Sequence, residues 1–275
     1  MKRKGALPKT GKALGVVTLL AFALLPAYWM FSTALDTNAA QRGASLLPAG
    51  LTGSHIARVF EEGGFGIYLR NSAIIAVGTV FLSALVALLA AVAVARFTFS
   101  MRKAILVLIL VVQMVPLEAL VIPLFLQARN LHMLNSLLGL MIVYLALSLP
   151  FAIWMLRGFV AAVPVEIEEA AYLDGASWGR MFRSILLPLV APGLVATSVF
   201  SFITAWNEFI FALTFLQDSG KYTVAVGLQQ FFGQNTADWG AVMAASTLIT
   251  LPVIFFFVIV QRQLSSGLSS GAVKG

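Results

Sequence analysis

The 275 residues include no cysteine, which excludes disulfides, thiol nucleophiles and Cys-ligated metals. Histidine is almost as scarce. His55 and His132 both fall in polar connecting stretches, too few and too scattered for a His-built metal centre. Charged residues make up only 11% of the chain, against about 25% in an ordinary soluble domain. Hydrophobic residues reach 60% and the mean hydropathy is +0.95. A soluble globular protein is therefore excluded, and the length converts into membrane spans of about 20 apolar residues each. The net charge of +7 would suggest nucleic acid in a soluble protein. In a membrane protein it reads as loop Lys and Arg, and no nucleic-acid partner is expected.

Six apolar stretches follow, at about 13–31, 68–95, 104–126, 137–156, 187–216 and 241–260. Pro26, Pro116, Pro123, Pro150, Pro192 and Pro252 lie in them or at their ends. Proline is tolerated in a span when neighbouring helices or polar groups satisfy the freed carbonyls, which implies a packed bundle. The expected fold class is all-α: a polytopic transmembrane helical bundle of six spans. No internal repeat of the kind found in many secondary transporters is visible. The start, Lys2-Arg3-Lys4 before an apolar run, resembles a signal peptide, but the run is too long and an uncleaved first span is expected.

The rare charges orient the chain. With a cytoplasmic N-terminus, one side carries Lys2, Arg3, Lys4, Lys9, Lys12, Arg96, Arg102, Lys103, Arg157, Arg180, Arg183, Arg262 and Lys274. The other side keeps Arg42, Arg58, Arg70, Arg129 and Lys221. The bias has the sense of the positive-inside rule, so both termini are expected to be cytoplasmic. Segment 36–66 reads as an external loop, with Ile56, Val59 and Phe60 on one face of a short amphipathic stretch.

The loop at 163–188 is the most informative. Pro164 stands where a helix can start without losing a hydrogen bond. Glu166, Glu168 and Glu169 follow in the first turn or so, where negative charge complements the helix dipole. Ala170, Ala171, Tyr172 and Leu173 continue the helix, and Gly175 is placed to end it in the left-handed conformation. Ser177 can cap a second short helix, and Leu187-Pro188 marks the entry to the next span. A helix resting on lipid headgroups is typically basic on its polar face, whereas this one is acidic. A partner-docking element fits better.

Glu169-Ala170-Ala171, three residues, Gly175, nine residues, Ile185, one residue and Leu187-Pro188 resembles the EAA loop. That loop marks the membrane subunits of binding-protein-dependent ABC importers. The resemblance implies the type I ABC importer transmembrane-domain fold. It also implies that Glu169, Ala170, Ala171, Asp174, Gly175, Ile185 and Pro188 contact a separate ATPase. Ala205-Trp206-Asn207-Glu208-Phe209 and the ending Gln261-Arg262-Gln263-Leu264 to Gly275 are similar to the sugar-importer branch, of the six-span maltose-transporter type. The implied partners are a second homologous permease, a dimer of ABC ATPases, an extracytoplasmic sugar-binding protein, membrane lipid and the sugar. No cofactor is expected on this chain; ATP and Mg belong to the ATPases. The domain division expected is 1–66 for the N-terminus, first helix and external loop, 67–262 for the importer core with its loop at 164–188, and 263–275 for the cytoplasmic tail.

Two carboxylates fall inside expected spans, Glu118 and Glu208. A charge at mid-bilayer costs about 2.5–3.5 kcal/mol and usually faces a cavity or a partner. Trp206, Asn207 and Glu208 either line the sugar pathway or serve helix packing, with Glu208 bonded to a neighbouring helix. Glu118, beside Pro116, is a pathway candidate or a partner for unwound backbone, and Gln113 and Asn71 are weaker candidates. The polar loop 217–239 carries Gln229, Gln230, Gln234 and Asn235, which the resemblance assigns to contact with the sugar-binding protein. Gly220-Lys221 is no phosphate loop, since Phe215 stands at the first Gly position and Tyr222 at the Ser/Thr position. Other readings are an importer of glycerol phosphate or another polyol, an ion-coupled transporter using Glu118 and Glu208 as proton relays, and an intramembrane enzyme. The last lacks any nucleophile–base pair or metal cluster in the spans.

Overall fold

The computed structural model describes residues 9–43, 45–61, 64–232 and 237–271, with side chains from 12 to 261. Among these the chain is helical, and strand geometry is limited to two isolated bridges, Asp36 with Leu51 and Phe232 with Ala237. The helices are α1 (Lys9–Ala34), α2 (Ser54–Glu61), α3 (Phe65–Arg96), α4 (Arg102–Gln113), α5 (Val121–Asn130) and α6 (Leu137–Ala162). There follow α7 (Val165–Leu173), α8 (Trp178–Met181), α9 (Leu187–Asn207), α10 (Ile210–Phe215), α11 (Val224–Leu228) and α12 (Trp239–Gly271). Among the described residues five runs are long and apolar enough to cross a membrane: Lys12–Ala34, Phe65–Arg96, Leu137–Ala162, Trp178–Asn207 and Trp239–Gln261.

The expected span at 104–126 is broken. α4 and the run Leu117–Asn130 are bent by 99°, and counted together they make the sixth span. Pro116 causes the break: it takes φ −59 and ψ 130, outside the helical region, and brings no N–H. Glu118 therefore lies exposed on the 3-10 turn Leu117–Leu120 rather than inside a straight span. The span at 187–216 also differs at both ends. Trp178–Met181 runs through a π-turn, Phe182–Leu186, directly into α9. Leu187 N–H bonds back to the Phe182 carbonyl, and the wider turn makes room for Pro188, which has no N–H to give. Leu187-Pro188 thus lies within a helical run that began nine residues earlier. At its far end Glu208 turns extended, φ −67 and ψ 129, and α10 restarts two residues later.

Three further expectations change. α6 continues to Ala162, so Arg157 sits on a helix rather than in a loop, its guanidinium carbon 5.5 Å from the centre of the Trp154 ring. Ser177 occupies the N-cap of α8, but its side chain makes no capping bond. The stretch 217–239 holds α11 and two 3-10 turns instead of a plain loop.

The chain divides into two compact units, residues 1–65 with 228–251 and residues 66–227 with 252–275. In the first unit, Asp36 Oδ1 accepts the N–H groups of Asn38 and Ala49. Buried Arg42 lies 3.7 Å from Asp36 and donates to Thr33 Oγ1 and the carbonyls of Ser45 and Leu46. Its guanidinium covers the Trp29 ring at 4.6 Å, a cation–π contact. The short amphipathic helix expected here forms as α2, and helical spacing keeps Ile56, Val59 and Phe60 on one face, with Val59 fully buried and Phe60 44% exposed. Asp238 caps α12 by accepting the Ala241 N–H at 3.0 Å and pairs with Arg58 at 2.7 Å.

In the second unit α6 packs mainly against α9. Gly193 permits the approach, since a Cβ there would run into the ring of Phe159. The core beside α7 is built from Ala91 and Val92 of α3, Leu156 and Val160 of α6, Leu186 at the end of the π-turn and Val190 of α9. It receives Ala171 and Met181, which pins the element between α6 and α9 to the long helices. At the other end of α3, Asn71 Nδ2 donates to the carbonyls of Gly220 and Tyr222, at 3.0 and 3.1 Å.

Candidate functional site

The element between α6 and α9 is built as its sequence requires. Val163 leaves the helical region at ψ 122, and Pro164, with ψ 134, opens α7. Gly175 adopts φ +80 and closes α7 with two bonds, Ala176 N–H to the Ala171 carbonyl and Gly175 N–H to the Tyr172 carbonyl. That is the Schellman pattern, which needs a left-handed residue and so favours glycine. The helix is two-faced. Glu168 and Ala171 point into the protein, 6% exposed in each case, whereas Glu166, Glu169 and Ala170 are exposed. Tyr172 and Leu173, the latter 90% exposed, extend the outward face, and Trp178 stacks on Phe182 just beyond the turn. Of the other residues expected here, Asp174, Gly175 and Pro188 are exposed and Ile185 packs against the core.

Glu168 is held by Arg96, the last residue of α3. Arg96 Nε donates to Glu168 Oε1 at 2.7 Å and its Nη2 to the Val163 carbonyl at 2.8 Å. The acids of this helix thus divide, one anchored inward and two exposed.

The second cluster surrounds the break between α9 and α10. Glu208 accepts from the N–H groups of Phe211 and Ala212, at 2.9 and 3.1 Å, and so caps α10. It also accepts the Tyr144 hydroxyl of α6 at 2.6 Å. Trp206 is buried and stacked at 5.4 Å on Phe202, which stacks in turn on Phe256. Asn207 is exposed, its Nδ2 bonded back to the Ile203 carbonyl, and its Oδ1 has no partner among the described residues. The three consecutive residues therefore do different work: a packed ring, an open amide and a carboxylate spent on the joint.

The remaining candidates are dispersed. Glu118 is exposed, and its carboxylate has no partner among the described residues. Gln113 lies on the rim of an open hollow of about 350 Å³ between α4, α6 and α9, lined otherwise by apolar side chains such as Phe151 and Phe200. Asn71 is occupied by the two carbonyls given above. Gln229 and Gln230 are exposed on a 3-10 turn in the first unit, while Gln234 and Asn235 lie outside the described residues. Lys221 Nζ donates to the Asn135 carbonyl at 2.7 Å, which engages the lysine in the fold. Among the described residues no three His, Asp or Glu side chains are grouped to hold a metal.

Tyr144 and Asn135 escaped the reading of the sequence. Tyr144 is 1% exposed within an apolar span, and a buried phenol that needs a partner was the available signal. Asn135 takes φ +54, and its side chain accepts the N–H groups of Gln217 and Asp218, distant pairings that local pattern does not announce.

The chain is 41% identical over 264 residues to the diacetylchitobiose uptake system permease protein DasC of Streptomyces coelicolor, covering 94% of this chain and 95% of the relative. It is 34% identical to the trehalose transport system permease protein SugB of Mycobacterium tuberculosis, over 94% of each chain. Its fold matches a chain of the crystal structure of a bacterial ABC transporter involved in the import of the acidic polysaccharide alginate. That match has a TM-score of 0.79 and 22% identity, over 94% of this chain and 99% of that one. The profile of one family covers residues 83–270, from mid-α3 to the end of α12 and across both clusters described here. The chain belongs to the family of inner membrane components of binding-protein-dependent transport systems.

Proposed function

We propose that this chain is the permease subunit of an ATP-driven importer that moves a di- or oligosaccharide across the cytoplasmic membrane. Its relatives' substrates, diacetylchitobiose and trehalose, support the class of sugar. The observation that carries the reading is the two-faced α7. Glu168 and Ala171 hold it to the core, while Glu169, Ala170 and Leu173 face outward before a Schellman turn at Gly175. A rigid, acidic and apolar ridge of this kind suits a cleft on a separate ATPase, with Asp174, Ile185 and Pro188 supporting its shape. Both termini then lie in the cytoplasm and ATP with Mg is held by the ATPases. A second permease completes the pathway, and an extracytoplasmic sugar-binding protein delivers substrate near Gln229 and Gln230.

In the pathway, Asn207 offers an open amide suited to a sugar hydroxyl, and Trp206 stiffens the helix behind it. Glu208 acts by fixing the break in the span, and Glu118 marks the exposed turn between α4 and α5. Reconstitution of the full complex in liposomes tests the reading. Uptake of diacetylchitobiose or trehalose that requires both ATP and the binding protein is expected. Uptake driven by an ion gradient without ATP would overturn it.

A further inference from the structure

The geometry points to Arg96 as a positioning residue that ties α7 to α3, so that a push on the outward face of α7 is delivered along α3; this rests on the reading of α7 as the ATPase contact. One guanidinium grips two elements: Glu168 within the first turn of α7, and the Val163 carbonyl at the junction of α6 and α7. That carbonyl belongs to the residue where α6 has ended, so an external donor suits it. The side chains of Arg96 and Glu168 are only 12% and 8% exposed. A pair so shielded keeps its geometry, unlike exposed pairs, which exchange freely with water.

Position adds to this. Arg96 ends α3, a helix of 32 residues. Asn71, near the other end of the same helix, holds the carbonyls of Gly220 and Tyr222. At 1.5 Å per residue the two anchors are about 38 Å apart, comparable with the thickness of a membrane. α3 is thus a rod clamped to the candidate ATPase face at one end and to the 219–222 turn at the other. Other cations at this end of the second unit, Arg102, Lys103, Arg180 and Arg183, are not paired with the α7 acids among the described residues. Arginine suits the position better than lysine because its planar fork addresses two acceptors in fixed directions, whereas lysine offers one nitrogen.

The test uses the complete importer, with its ATPases and binding protein, in liposomes. Arg96→Gln, Arg96→Lys and Glu168→Gln are compared with the parent for assembly, ATP hydrolysis, and ATP consumed per diacetylchitobiose or trehalose taken up. Arg96→Gln is expected to assemble and hydrolyse ATP but to raise the ATP spent per sugar by about tenfold, the scale of a typical coupling energy. Arg96→Lys falls between it and the parent. An unchanged ratio in Arg96→Gln overturns the inference. If Arg96→Gln does not assemble, Glu168→Gln decides: a raised ratio in assembled complex supports coupling, and loss of uptake only in proportion to loss of assembly overturns it. The underlying reading fails separately, when the parent chain itself does not associate with the ATPases.

Discussion

Glu168 and Glu169 are neighbours with opposite fates, and the difference gives the sharpest single-residue expectation. Replacing Glu168 by Ala leaves Arg96 without its carboxylate partner and is expected to destabilise the protein by about 3 kcal/mol. Replacing exposed Glu169 by Ala should change stability by less than about 0.5 kcal/mol while weakening ATPase association. Thermal unfolding and pull-down of the two variants in detergent measure both effects. Gly175 is a second case: Ala at φ +80 costs about 1–2 kcal/mol, and the Schellman closure loosens with it. At Asp238, burial pushes the carboxyl pKa up. The Ala241 N–H, the Arg58 guanidinium and His55 together outweigh burial and hold it below its usual value. A depressed carboxylate adds stability above its unfolded pKa of about 3.9 and loses it as pH falls through the folded value. Parent and Asp238→Asn should therefore differ in thermal stability at pH 7 and converge at strongly acidic pH.

At the scale of elements, the breaks matter more than the spans. Tyr144 and the N–H groups of α10 meet on Glu208, so Tyr144→Phe removes a bond to a charged acceptor worth about 1.5–3 kcal/mol. It is expected to lower the thermal midpoint and to slow uptake without affecting ATPase association. Gly193→Ala presses on Phe159 and is expected to cost about 1–3 kcal/mol by forcing α6 from α9. Hydrophobic runs located the helices because every span must be apolar, and Gly175 announced its turn because no other residue suits positive φ so well. The joints were less legible. Pro116 was visible, but a 99° bend depends on what packs around it. Arg96 read as a topology charge and Glu208 as a buried acid of open role, since their partners lie 72 and 64 residues away. Side-chain pairing across such separations has no local signature, and charge is the only hint.

Across the whole molecule, charge is scarce and each charged residue has a place. A chain with 11% charged residues places them for orientation, for the joints of its helices, or for partners. The structure assigns Arg42 and Arg96 to its own fold, and α7 keeps Glu166 and Glu169 outward. The family assignment supplies an inner-membrane transport component, and the outward face of α7 is where we propose that an ATPase acts. Because this chain has no cysteine, a single introduced thiol is the only one it contributes to that contact. Ala170→Cys, on the exposed face of α7, is cross-linked in the assembled complex beside Leu131→Cys, an exposed position between α5 and α6. Efficient cross-linking to the ATPase from position 170 and none from 131 is the expected result. Absence of any ATPase adduct at 170 in a complex that imports sugar would contradict the account.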